Sequence, residues 1–199
     1  MEVEHIQLFA QSVFRVNRSN EMSAIELLAV ETQLLSLRDN PSNKTTTNLY
    51  VLNNPSFVEL KNFCQAAVDL YVDQVMRTKN SDIRITQSWI NLTKEGGGHH
   101  EHAHGNSVIS GVFCIKENTS GLMILKNPIR RDFTFDVDEW NLSNCQYFNI
   151  PILQNQLILF PSFLEHSVSK VVGGDRITLA FNTFPKGEFG SKYAKVHGI

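Results

Sequence analysis

Residues 83–92 read Ile-Arg-Ile-Thr-Gln-Ser-Trp-Ile-Asn-Leu, and at this point the periodicity of the chain becomes that of β-strands. Further short segments of this kind follow, separated by clusters of Gly, Pro, Asn and Asp. The predicted strands are Ile83–Leu92, Ser107–Lys116, Gly121–Lys126, Phe133–Val137, Tyr147–Ile152, Gln156–Phe160, Ser167–Val171 and Arg176–Phe181.

Sequence patterns typical of α-helices lie before residue 83. Ser23 and Glu26 have the spacing of a capping box, which predicts a helix from Ala24 to about Leu37. Pro55 begins a second helix, in which apolar residues recur at three- and four-residue steps as far as Val75. We expect an edge strand within residues 6–16 and a loop over the polar residues 38–48.

Helices followed by many short strands indicate an α+β protein whose C-terminal part is a closed or sandwiched β structure. A chain of 199 residues fits one domain. Within this domain, residues 1–82 would support the core with helices packed on one sheet. Residues 83–187 would form the β core, and residues 188–199 a tail.

Composition excludes several classes of partner. The net charge is −2 and basic residues form no run, so nucleic acid is not expected. No stretch of about 18 apolar residues predicts a membrane span. The three cysteines are widely spaced, and we expect buried free thiols in a reducing compartment. We therefore expect a soluble, cytoplasmic protein, and a homodimer is compatible with this prediction.

A histidine cluster is the most informative motif. Residues 96–105 read Gly-Gly-Gly-His-His-Glu-His-Ala-His-Gly, and His166 follows the apolar segment that ends at Phe160. Imidazole is a common ligand of transition metals, so the cluster predicts a metal site.

The ligand set has three alternatives. In an extended strand His102 and His104 share one face, so both could bind an ion together with the distant His166. Alternatively, His104 only supports the site and water completes the shell. In the third arrangement a bulge turns Glu101 inward and His99 becomes the first ligand.

An anion-binding group is predicted beside the metal. Arg176 lies ten residues after His166, which is enough for a strand, a turn through Gly173-Gly174 and a return strand. An arginine binds a carboxylate through two hydrogen bonds, and Thr178 on the same face would add a hydroxyl.

Four sequence blocks together resemble the 2OG-Fe(II) oxygenase family of marine bacteria and their phages. The resemblance covers about residues 84–187, and its blocks are 88–91, 102–113, 159–168 and 176–182. It implies a double-stranded β-helix, or jelly roll, with iron at one open end and Arg176 anchoring the distal carboxylate of 2-oxoglutarate. The resemblance also implies Fe(II) as the cofactor and 2-oxoglutarate and O2 as cosubstrates. The implied activity is that of a dioxygenase that hydroxylates a protein side chain or a small metabolite.

Further residues are candidates for contacts with the cosubstrate or the substrate because of their positions in the sequence. Trp89 and Asn91 alternate on one face of a strand that leads into the site, so Asn91 is a candidate for binding the cosubstrate and Trp89 for binding the substrate. Core packing and strand capping are the competing explanations. Asn106 is a further candidate substrate contact, although a role in the turn competes with it. We expect the loops at 127–144 and 186–199 to select the substrate, with Arg130-Arg131 as a candidate for attracting acidic groups.

One position departs from the wider superfamily, which has a carboxylate where this chain has His104. Three neutral imidazoles leave the iron complex one negative charge short. Two other functions therefore compete: a cupin-type three-histidine dioxygenase that does not use 2-oxoglutarate, and a catalytically silent protein that binds metal or a small acid. The cupin alternative gives Arg176 and Thr178 no role.

Overall fold

The computed structural model describes residues 1–4, 9–79, 81–129, 136–191 and 193–199, which contain two α-helices and thirteen strands. The helices are α1 (Ala24–Leu34) and α2 (Val58–Tyr71). The strands are β1 (Phe14–Asn17), β2 (Leu37–Asn40), β3 (Asn43–Thr46), β4 (Asp82–Thr93), β5 (His99–His102), β6 (Ile109–Lys116), β7 (Met123–Lys126), β8 (Tyr147–Ile150), β9 (Gln156–Pro161), β10 (His166–Val168), β11 (Arg176–Lys186), β12 (Glu188–Ser191) and β13 (Ala194–His197).

Local signals set the helix ends. The side chain of Ser23 accepts a hydrogen bond from the backbone N–H of Glu26 and the carboxylate of Glu26 accepts one from the N–H of Ser23, which confirms the capping box. Pro55 starts a 3-10 turn, Pro55–Phe57, that leads into α2. A π-helical turn, Val72–Met76, extends α2 to the left-handed residue Arg77.

A seven-stranded sheet, the major sheet, has the order β1-β9-β6-β11-β4-β3-β2. One face packs against the two helices through a buried apolar cluster, as predicted. Its members include residues of both helices and of the central strands, among them Leu60, Val68, Ile90, Phe113, Leu179 and Phe181.

A four-stranded sheet, the minor sheet, has the order β5-β10-β7-β8. A second buried cluster joins it to the other face of the major sheet. Residues of β7 and β8 contribute from one side and residues of β6 and β9 from the other, including Met123, Leu125, Ile150, Cys114, Ile158 and Phe160. The β-rich architecture with two helices agrees with the α+β prediction.

The polar segment 38–48 was predicted as a loop, and this prediction is wrong. Strands β2 and β3 form a hairpin whose turn contains Ser42 with φ +71°. Lys44 and Thr45 of β3 then pair with Leu92 and Asn91 of β4. Backbone pairing with β4 specifies these strands, so their own side chains need no apolar alternation.

Other boundaries differ in detail. Helix α1 ends at Leu34 instead of Leu37, since Leu37 already pairs with Thr46 of β3. Strand β11 extends to Lys186, and residues 188–191 and 194–197 form a separate hairpin. The predicted strand Phe133–Val137 lies mostly outside the described residues, as do residues 6–8 and Arg130-Arg131.

Cys64 and Cys114 are buried free thiols, as predicted, whereas Cys145 is partly exposed. Burial raises the pKa of the Cys114 thiol to about 11. None of the helices in the described part of the chain is both long enough and apolar enough to cross a membrane.

Candidate metal centre

A β-bulge brings the histidines of the cluster together. On β10, His166 and Val168 are two residues apart, but their partners on β5, His102 and His99, are three residues apart. The extra residue on β5 breaks the simple alternation of faces. As a result, the rings of His99 and His102 stack with their centroids 4.4 Å apart.

Three histidines from different parts of the fold converge beside this bulge. His102 ends β5, His104 follows it and His166 begins β10. One ring nitrogen from each lies within 4.8 Å of the others, so this triad could hold a metal ion. The fold therefore brings the predicted combination of His102, His104 and His166 together.

The Nδ1 atoms of all three rings have protein partners. The carbonyl of His100 accepts a hydrogen bond from Nδ1 of His102 at 2.8 Å, and that of Leu164 accepts one from Nδ1 of His166 at 2.9 Å. A carbonyl can only accept, so both rings carry the proton on Nδ1 and keep a lone pair on Nε2. His104 Nδ1 bonds to Ser110 Oγ at 2.7 Å. Such partners fix the ring orientation of metal ligands.

Burial keeps these rings neutral. Desolvation lowers the pKa of His166 to about 3 and that of His104 to about 4, and it also lowers the pKa of His102. Neutral imidazole is the form that binds metals, so no proton has to be displaced from Nε2 near neutral pH.

A buried polar network supports His104. Ser110 Oγ lies 2.9 Å from Asn182 Oδ1 and 2.8 Å from Ser162 Oγ, which in turn donates to Ser107 Oγ at 2.7 Å. Ser110 and Ser162 are fully buried. Sequence analysis missed this network, because its members come from three separate segments and serines carry no motif. Ser110 of β6 and Asn182 of β11 are register partners, and this pairing brings them together.

Glu101 does not join the histidines. Its Oε1 accepts a hydrogen bond from Lys126 Nζ at 2.8 Å, and its side chain is 38% exposed. The bulge anticipated in one alternative is present, but it turns His99 and not Glu101 toward His102. Within the described residues, the triad contains no carboxylate.

Arg176 is a buried cation. The residue is 3% exposed, and its Nε and Nη2 atoms have no hydrogen-bond acceptor among the described residues. Desolvation lowers its pKa accordingly. The cost of leaving a guanidinium unpaired in the interior is large, so this side chain fits a site for an anion that carries its own acceptors.

Thr178 and Asn91 lie between Arg176 and the histidines. Arg176, Thr178 and Ala180 project from the same face of β11, opposite the face that packs on the helices. Thr178 pairs with Asn91, and both are buried. The Oδ1 atom of Asn91 also has no partner among the described residues. Both residues therefore lie where a polar ligand bound by Arg176 would pass.

Trp89 lies beside the triad. It pairs with Ala180, and its ring meets the His104 ring edge-on with centroids 5.7 Å apart. It lines a cavity of about 320 Å³ together with Asn91 and the histidines at 99, 100, 102 and 104. Asn106 is exposed in a left-handed turn with φ +55° and does not line that cavity.

The return from His166 to Arg176 differs from the simple hairpin expected. Strand β10 is in the minor sheet and β11 is in the major sheet. The connection turns at Gly173 and Gly174, whose φ values are +78° and +134°. The chain thus crosses from one sheet to the other, and the two predicted groups approach the same interior from opposite sheets.

Comparison with known families agrees with this geometry. Residues 87–182 match the family model described as "Putative 2OG-Fe(II) oxygenase". The match covers just under half of the chain, and it includes the histidine triad and Arg176. The protein is accordingly an oxidoreductase, and Fe(II), 2-oxoglutarate and O2 are the cofactor and cosubstrates of its family, as predicted. A sequence search of curated proteins gives no match.

Solved structures with low sequence identity share the fold. An oxidoreductase of the 2OG-Fe(II) oxygenase family from Burkholderia pseudomallei aligns with TM-score 0.59 and 13% identity, over 86% of this chain and 84% of that one. HygX from Streptomyces hygroscopicus, crystallised with nickel, 2-oxoglutarate and hygromycin B, aligns with TM-score 0.60 and 12% identity, over 88% and 83%. A prolyl-4-hydroxylase from Pseudomonas putida aligns with TM-score 0.58 and 16% identity, over 89% and 94%.

Proposed function

We propose that this oxygenase is a hydroxylase in which His102, His104 and His166 bind Fe(II) and Arg176 binds 2-oxoglutarate. Its substrate is a protein side chain or a small metabolite. The proposal includes a double-stranded β-helix formed by the two sheets over residues 83–187, within a single domain of residues 1–199. The observation that carries it is the buried guanidinium of Arg176, whose Nε and Nη2 atoms have no partner among the described residues. Arg176 lies on the same sheet face as Trp89, and the ring of Trp89 contacts the ring of His104.

The histidine triad fits a divalent metal. Each ring has Nδ1 bonded to the protein and presents Nε2, and imidazole suits iron among the first-row metals. When bound, iron and 2-oxoglutarate would supply the electrons that activate O2 for the oxidation of a C–H bond. Three neutral ligands leave more positive charge on the metal than a set with a carboxylate, and the metal-binding carboxylate of 2-oxoglutarate would offset one unit of that charge.

Arg176 would orient 2-oxoglutarate. It lies four residues from Ala180, about 13 Å along the strand at about 3.3 Å per residue, and Ala180 is the partner of Trp89 beside His104. A ligand held at both ends must therefore extend between the sheets, past Thr178 and Asn91. The buried apolar side chains Ile158 and Phe160 would exclude water from the reacting end.

The same guanidinium disfavours the cupin-type alternative. In a three-histidine dioxygenase that does not use 2-oxoglutarate, the buried Arg176 would have no anionic ligand. The free-energy cost of burying its charge would then not be offset by ligand binding. Trp89, at the edge of the cavity and against His104, is the residue that we propose contacts the substrate. A substrate contact by Asn106 would require movement of its turn.

The test is spectroscopic. Anaerobic Fe(II) and 2-oxoglutarate should give a visible charge-transfer band with the wild-type protein, and admission of O2 should release succinate. Arg176→Met should weaken 2-oxoglutarate binding about ten- to hundredfold, since a hydrogen bond to a charged group contributes about 1.5–3 kcal/mol. Iron binding by that variant should stay unchanged.

Arg84→Met is the matched control, since Arg84 is partly exposed and pairs with Asp69 and Asp82. It should bind 2-oxoglutarate as the wild type does. His102→Ala should lose the band because it loses iron. A band of undiminished affinity in the Arg176 variant would contradict the proposal.

A further inference from the structure

A second group of histidines lies beside the proposed iron triad. One ring nitrogen from each of His99, His100 and His102 lies within 4.8 Å of the others. The three ring centroids are 4.4–5.1 Å apart. The bulge in β5 produces this arrangement, since regular alternation would direct His99 and His100 to opposite faces.

We propose that His99, His100 and His102 form a second divalent-metal site, the outer triad, which competes with the inner triad of His102, His104 and His166. The outer triad takes borderline ions such as Zn²⁺ or Co²⁺, for which imidazole is a preferred ligand. His100 is exposed, whereas His166 is 6% exposed. An ion from solvent therefore reaches the outer triad first.

The hydrogen bonding of His99 indicates that its Nε2 atom has a lone pair available for a metal ion. Its Nε2 lies 3.2 Å from Asn40 Nδ2, which also donates to Asn43 Oδ1 at 2.8 Å. An amide N–H₂ group can only donate, so Nε2 of His99 accepts and carries no proton. A metal ion would take the place of this donor. The hairpin β2–β3 thus covers one side of the outer triad.

Competition follows from the shared ligand. Nδ1 of His102 donates to the carbonyl of His100, so only Nε2 is free to bind a metal. A single nitrogen lone pair serves one ion at a time. An ion in the outer triad consequently removes a ligand from the inner triad, and an excess of such an ion would keep iron out of the reaction site.

The experiment is a Co²⁺ titration of the untagged apo protein by calorimetry, with metal content measured after gel filtration. Four variants separate the two triads. His100→Ala removes only the outer triad, His104→Gln removes only the inner triad, His102→Ala removes both, and the double variant His100→Ala/His104→Gln also removes both. His197→Ala is the control, since His197 is exposed on β13, outside the cluster.

We expect about one equivalent of Co²⁺ in the wild type, in His100→Ala, in His104→Gln and in His197→Ala, because a set of three protein ligands suffices to hold such an ion. The double variant and His102→Ala should bind none. The outer triad is refuted if His104→Gln binds no Co²⁺, or if the double variant binds it as well as His104→Gln does. Two equivalents in the wild type would refute the competition.

Two further measurements keep the result interpretable. His166→Ala is a second variant without the inner triad, and circular dichroism establishes that each variant is folded. The outer site does not depend on the proposed oxygenase reaction. Loss of Co²⁺ by His100→Ala would therefore count against the inner triad and the proposed function, while retention of Co²⁺ by His104→Gln would still support the outer one.

Discussion

Ser110 is the residue on which the position of His104 depends. It bonds to the Nδ1 atom of His104 and connects that ring to Asn182 on β11. Ser110→Ala should lower metal affinity about ten- to hundredfold, as loss of such supporting partners does elsewhere. Ser88→Ala is the control, because Ser88 is also buried but accepts from the backbone of Leu52 on the helix side of the sheet. Equal metal affinities in the two variants would show that the network does not position the ligand.

Gly111 of β6 leaves room for the ring of Phe181, its register partner on β11. A Cβ atom there would overlap the ring of Phe181, which is fully buried in the helix-side core. Gly111→Ala should lower the free energy of unfolding by about 1–3 kcal/mol through overpacking, measured by urea denaturation. Gly105→Ala meets no atom within 4 Å and should change stability much less. Similar losses in both variants would contradict a steric origin.

At the scale of elements, helix α1 is anchored by a buried ion pair. Arg18 donates to both carboxylate oxygens of Glu26, at 3.1 and 2.9 Å, and the two side chains are 7% and 2% exposed. Burial by itself would raise the pKa of Glu26, but the hydrogen bonds from Arg18 and Ser23 outweigh it and lower the pKa below the usual 4.5. The charged form is therefore favoured by folding.

This pair makes stability depend on pH in a defined direction. Because the pKa is lower in the folded state, the contribution of Glu26 is present above pH 4.5 and is lost as the pH falls through the folded value. Glu26→Gln should lower the free energy of unfolding by about 3 kcal/mol at neutral pH, since it leaves Arg18 with the exposed Glu59 at 3.7 Å as its remaining partner. The difference from wild type should shrink below pH 4.5. A difference that is constant with pH would contradict this account.

At the scale of the whole molecule, the space between the two sheets is lined by buried polar groups that lack hydrogen-bond partners among the described residues. In the part of the chain that the structure describes, Nε and Nη2 of Arg176 and Oδ1 of Asn91 have no hydrogen-bond partner there. Mn²⁺ with 2-oxoglutarate, each at a hundred times its Kd, should stabilise the fold by about 2.7 kcal/mol per ligand. This corresponds to a rise in melting temperature of about 5–10 °C per ligand for a chain of this size.

Arg176→Met distinguishes the two ligands in that measurement. The variant should keep the rise produced by Mn²⁺ and lose most of the rise produced by 2-oxoglutarate, and a chelator should reverse the metal effect in both proteins. A full 2-oxoglutarate effect in the variant would mean that another cation binds it.

The sequence by itself determined the parts of the protein that depend on neighbours in the chain. The capping box of Ser23 and Glu26, the apolar spacing of α2 and most strands after residue 83 follow from local propensity and periodicity. The meeting of His102, His104 and His166 was also predictable, because histidines at these separations are typical of metal sites.

Only the tertiary structure decided which side chains meet. The bulge between β5 and β10 depends on pairing between residues more than sixty positions apart, and it moves His99 to the side of His102 while Glu101 pairs with Lys126. Likewise, the polar segment 43–46 becomes a strand because it pairs with β4. Ser110 on β6 meets Asn182 on β11 and Ser162, which follows β9, because these strands are neighbours in the major sheet. Strand register and bulges arise from long-range hydrogen bonding, which leaves no periodic trace in the sequence.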